Sequence, residues 1–204
     1  MEKLDFRKTM KPYWQPPVGK FVTVEVPEFS FAMIDGEGDP NTAPAYASAV
    51  RWLFTLSYAL KFASRAEGRD YGVAPLEGLW WSDDFEDFVA RRKDRWSWTM
   101  MIMQPDWITS AQFAKARDKA AAKIGEPVPA SLRLERVAEG VSVQTMHVGP
   151  YDAEGPVIAR LHQEFLPANR LVENGHHHEI YLGDPRRSAP EKLRTVLRQP
   201  VRLR

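Results

Sequence analysis

The sequence predicts an α+β fold: duplicated βαββ modules forming one antiparallel sheet, with two long helices on one face and a groove between them. Three observations carry that expectation. Stretches of period-two alternation flank stretches with three-and-four spacing; the order strand, helix, strand, strand occurs twice; and turns bearing glycine and proline separate the pieces. The chain of 204 residues reads as a single domain, with an arm over 1–20, a first half over 21–125 and a second over 126–204.

The arm ends in KPYWQPP, where prolines remove backbone donors and favour extended chain lying against the body. From Phe21 to Ile34, Val22, Val24 and Val26 alternate with polar residues until Pro27 interrupts, and Phe29, Phe31 and Met33 resume, so a bent edge strand is expected. Gly36, Gly38 and Pro40 turn the chain toward a helix opened by Pro44. Ala45–Ala66 carries Tyr46, Ala49, Val50, Leu53, Leu56, Leu60 and Ala63 at helical spacing, with Gly68 as its stop.

PLEGLWW (75–81) and WSWTMMIM (96–103) read as the strands of a hairpin around the charged loop SDDFEDFVARRKDR. Thr109 caps a helix running to Ile124 before Gly125. The order then recurs. Leu132–Val148 gives two extended pieces around Glu139-Gly140, Glu154–Leu166 a helix, and His178–Leu182 and Thr195–Leu203 two strands.

The repeat is visible in the residues themselves. MIDGEGDP (33–40) lies over TMHVGPYD (145–152), and LEGLWW (76–81) over HEIYLG (178–183), the latter pairing Glu77 with Glu179. Two such halves side by side leave a groove between their helices, and grooves of that kind are ligand sites.

Composition narrows what such a site could serve. With 28 basic and 27 acidic side chains there is no electrostatic source for nucleic-acid affinity. Cysteine is absent, so disulfides and thiolate metal sites are excluded and a reducing, cytoplasmic setting is expected. No apolar run is long enough for a signal peptide or a membrane span, so no membrane partner is expected. Phosphate-cradling loops, dinucleotide fingerprints and nucleophile elbows are missing, and nothing calls for a cofactor.

Glu77 and Glu179 stand out because each interrupts an apolar, aromatic strand, where an ionised carboxylate is costly unless required. Alternation sets Leu79 and Trp81 on the face of Glu77, and His177 and Tyr181 on the face of Glu179. A carboxyl hemmed in by aromatics suits a flat guest, and a raised pKa would let it act as a base near neutral pH. The competing reading for either is a solvated strand residue. Trp80, Trp81, Trp96 and Trp98 offer rigid faces to an aromatic ligand or simply fill the core, and Met100 with its methionine neighbours allows the same two readings. His147 and Tyr151, in MHVGPYD, fall at a turn near the groove mouth. His176, His177 and His178 alternate in direction and cannot all hold one ion, so no metal site is expected.

VPEFSFAMIDGEGDPN, LSYALKF, LEGLWW, WSWTMMIMQPDWIT, HVGPYD and HHEIYLGDPRRSAPEKLRTVLRQPV together resemble the GyrI-like family of small-molecule-binding proteins, whose duplicated βαββ fold also serves multidrug-sensing transcription activators. The resemblance is to the stand-alone branch, which lacks a DNA-binding domain. It implies an aromatic-lined groove with an essential glutamate, matched here by Glu179 in HEIYL. It further implies a detoxifying hydrolase that opens the strained ring of cyclopropanoid DNA-alkylating compounds, with Glu179 activating water and Tyr181 or Tyr151 as proton donor. Glu77, Leu79, Trp80, Trp81, Trp98, Met100, His147 and His177 would surround a hydrophobic aromatic small molecule. The rival implied by gyrase-inhibiting relatives is a binding module that sequesters drugs or meets DNA gyrase. The sequence leaves monomer and dimer both open.

Overall fold

A computed structural model describes residues 3–83 and 92–204. Most of the expected charged loop, 84–91, lies outside them. The arm is not a plain extended segment. It opens with β1 (Lys3–Leu4), paired in parallel with β3 (Asp70–Tyr71), and continues through two helical turns, α1 (Phe6–Thr9) and α2 (Lys11–Trp14). Pro12 sits in the first turn of α2, where its missing N–H leaves no bond unmade. Phe6 and Trp14 are buried in the main core, so apolar anchoring overrides the preference of the proline-bearing segment for extended chain.

β2 (Val22–Glu37) pairs with β6 (Arg133–Val148) from Val22 to Met33 and with β5 (Ser97–Gln104) from Ser30 onward. It is therefore an edge only over its first half, which is where Pro27 sits, at the one position where the ladder with β6 skips a register pair. From Ser30 it is central, which corrects the expectation of an edge strand throughout. Gly140, at φ 64°, kinks β6 without ending it, so the two extended pieces form one strand.

α3 (Pro44–Ala66) buries Ala49, Trp52, Leu53, Leu56 and Leu60, as the helical spacing requires. After β3 comes β4 (Leu76–Trp81), which pairs antiparallel with β5. α4 (Ser110–Ile124) packs alongside α3. Its start is a capping box between Thr109 and Gln112, and Gly125 ends it in the left-handed region at φ 74°.

The second-half helix is a composite: α5 (Gly155–Arg160), a π-helical stretch (Leu161–Phe165) and α6 (Leu166–Ala168). A short β7 (Leu171–Glu173), β8 (His177–Tyr181) and β9 (Arg194–Leu203) complete the chain. The strands run β6-β2-β5-β4-β8-β9, and β9 returns to pair with β6, which closes the antiparallel sheet into a six-stranded, barrel-like ring. Trp98 and Gln104 of β5 meet Tyr46 and Ser57 of α3, so the even-numbered side of β5 is the helix-bearing face. Between α3 and the turn entering α5 a groove opens over β4 and β8. No helix among the described residues is long and apolar enough to cross a membrane.

Candidate functional site

The groove floor comes from two adjacent strands. In the β4–β8 pairing Gly78 lies opposite Glu179 and Leu76 opposite Tyr181, which brings Glu179, Tyr181, Gly78 and Trp80 to one face. Tyr181, two residues beyond Glu179, donates its phenolic hydrogen to Glu179 Oε2 at 2.7 Å. The Trp80 indole N–H donates in turn to the Tyr181 oxygen at 2.9 Å. A hydrogen-bonded line thus runs from indole to phenol to carboxylate, and only 9% of Glu179 is exposed.

Gly78 makes this line possible. A Cβ at this position would fall 2.8 Å from Trp80 Nε1 and 3.0 Å from Met100 Sδ, so the indole leans into space that a side chain would take. Gly78→Ala is expected to push the indole off the Tyr181 oxygen and destabilise the fold by about 1–3 kcal/mol. Urea titration alongside the Trp80 fluorescence environment checks this, and wild-type values for both would refute it.

Two more phenols enclose the carboxylate. Tyr46, on the first turn of α3, packs 6.1 Å from Trp80 and edge-on to Trp98 at 5.4 Å. Tyr151, from the turn before α5, stands edge-on to Tyr181 at 5.5 Å. Burial, reinforced by the charge of Glu179, pushes Tyr46 and Tyr181 well above the usual phenol range. Tyr151 is pushed up to about 12 by burial and by the neighbouring Glu154 and Glu179. All three therefore stay protonated as donors at neutral pH. The cavity measures about 1840 Å³ and is walled by Leu76, Trp80, Trp96 and Phe54, with Lys3, Arg7 and Lys8 of the arm at its edge.

His177 shares the face of Glu179, its Nε2 3.7 Å from Oε1. Burial lowers its pKa to about 3, so the ring is neutral and the contact is not an ion pair. His147 is also enclosed, its Nε2 at 3.2 Å from the Pro150 carbonyl. Neither lines the groove. Trp98 and Met100 sit on the correct face but are fully buried beneath it.

Glu77, Leu79 and Trp81 point to the reverse face and are corrected out of the ligand site. Glu77 pairs in register with Ile180 and Glu179 with Gly78, so the two glutamates that the repeat superposed face opposite sides of the sheet. Glu77 Oε2 instead lies 3.0 Å from His178 Nε2. His178 Nδ1 reaches Glu139 at 2.9 Å, and Arg198 reaches Glu139 at 2.8 Å, Gln144 at 3.2 Å and the Tyr13 carbonyl at 2.6 Å. Two carboxylates and two cations are thus paired in the core, and they hold the arm. Trp81 stacks on His176 at 4.1 Å. The three consecutive histidines therefore diverge toward three different neighbours.

Tyr46 and Glu154 were missed by sequence reasoning. Tyr46 was one apolar position among seven on its helix, and Glu154 only a helix start; nothing local marks either as lining the groove that holds Glu179.

The sequence profile described as GyrI-like small molecule binding domain matches residues 20–202. A crystal structure of an uncharacterized conserved protein from Listeria innocua is 38% identical, covers 98% of this chain and 100% of its own, and superposes with a TM-score of 0.86. A structure called a hydrolase, also from Listeria innocua, is 38% identical over the same shares with a TM-score of 0.82. The C-terminal domain of EcmrR, 10% identical over 91% of this chain and 98% of its own, has a TM-score of 0.57 and speaks to the fold alone. No curated protein sequence matches significantly.

Proposed function

The chain belongs to the GyrI-like small molecule binding domain family, and from that premise we propose that its groove receives flat, hydrophobic cyclopropanoid compounds and opens their strained ring with water. The observation that carries the proposal is the hydrogen-bonded line Trp80–Tyr181–Glu179 on the aromatic groove floor. The hydrolase label on a Listeria innocua relative at 38% identity is consistent with it.

In the proposed step Glu179 takes a proton from a water molecule as the water oxygen bonds to a methylene carbon of the three-membered ring. The ring C–C bond breaks, and its electron pair moves through the conjugated system to the ligand's carbonyl oxygen. Tyr181 supplies the proton that quenches that oxygen, while the Trp80 N–H stabilises the phenolate left behind. Glu179 then returns its proton to Tyr181 across their 2.7 Å contact. One water is added, and every proton is accounted for. Tyr151 and Tyr46 stay neutral and can donate to polar edges of the same ligand.

Incubating the purified protein with a spiro-cyclopropyl dienone and following a mass gain of one water by mass spectrometry tests the reading. A binding-only function draws on a different observation: at about 1840 Å³ the groove exceeds what a single drug-sized molecule fills. Tight binding with no product would favour that reading over hydrolysis.

A further inference from the structure

A second cavity, of about 500 Å³, lies away from the groove where α6, β7 and the end of β9 meet. Arg170, Arg202 and Arg204 line it, and among the described residues none of the three is paired with a carboxylate. The one acidic side chain in the lining, Glu173, is engaged by His162 Nδ1 at 2.6 Å. Leu166, Pro167, Leu171 and Val172 supply an apolar wall. Positive charge is therefore in excess in a hollow whose size suits a small organic molecule.

Two departures from regular backbone converge on the same spot. His162 lies in the π-helical stretch Leu161–Phe165, and such insertions into α-helix gather at functional sites. Arg170 is the only described residue other than glycine with positive φ, at 55°, and its carbonyl accepts from the Arg204 N–H at 2.9 Å. Glycine would hold that conformation with less strain, so an arginine there asks for a reason beyond folding. Guanidinium groups match oxyanions bidentately.

We infer that this cavity binds a small phosphate-bearing molecule, with the arginines on the phosphate and the apolar wall against its body. Thermal unfolding with phenyl phosphate, inorganic phosphate and chloride at matched ionic strength tests it. Phenyl phosphate at roughly 100 times its Kd is expected to raise Tm by about 5–10 °C, and the rise is expected to vanish in the Arg202→Gln/Arg204→Gln protein. Arg170→Gly is expected to keep or raise the unliganded Tm while weakening phenyl phosphate at least about tenfold, separating binding from folding. An equal rise with inorganic phosphate assigns the site to the free anion; a rise with phenyl phosphate alone assigns it to a monoester. No rise at about 10 mM of either, or a rise that survives the double substitution, overturns the inference.

Discussion

Glu179→Gln is expected to lower kcat for ring opening by about 10²–10⁴-fold while leaving ligand affinity within a few-fold of wild type. The amide keeps the shape of the carboxylate and can still accept from Tyr181, but it cannot take a proton from water. In Tyr181→Phe the floor stays intact and the proton return is lost, so a fall of about 10²-fold in kcat is expected there as well. Single-turnover assays with product identified by mass spectrometry separate these effects from binding. Unchanged turnover in Glu179→Gln would remove the carboxylate from the mechanism.

The second large effect concerns the buried quartet of Glu77, His178, Glu139 and Arg198 on the reverse face. Burial alone would lower the His178 pKa, but Glu139 and Glu77 outweigh it and raise the value to about 9. A group whose pKa is raised by folding stabilises fully below its unfolded value and loses that contribution as pH climbs through the folded one. The His178 contribution should therefore be full below about pH 6.5, and stability should fall by about 3 kcal/mol as pH rises through about 9. For Glu139 burial works upward, yet His178 and Arg198 hold it at about 2, so its contribution is present above about pH 4.5 and is lost as pH falls through about 2.

Urea unfolding at pH 6 and at pH 9.5 reads the alkaline arm directly, and His178→Gln should flatten it. Equal slopes in the two proteins would refute the assignment. Arg198→Ala, which removes one of the two cationic partners of Glu139 and frees the Tyr13 carbonyl, should cost about 3–5 kcal/mol at any pH between these arms.

Much of this architecture was legible because its signals are local. The apolar stripe of α3, the Thr109 cap and Gly125 stop of α4, and the aromatic alternation of β4 and β5 each follow from a few neighbouring residues. Glu179 was legible as a carboxyl in an apolar strand. Ring closure was not, because the pairing of β9 with β6 depends on register between distant segments. The reversal of Glu77 had the same origin: a period of two identifies which residues share a face but not which face meets the helices. Tyr46, one of several apolar residues on its helix, became a site residue only when α3 was laid across β4.

β8 carries a proofreading device. His178 and Glu179 are consecutive, so sliding this strand by one residue would lodge an imidazolium in the aromatic trough and thrust the glutamate against Glu77 and Glu139. Three carboxyls crowded around Arg198, with the imidazolium of His178 gone from among them, is a state the chain would reject. The alignment that arms the trough is thereby the one alignment the electrostatics of the far side tolerate.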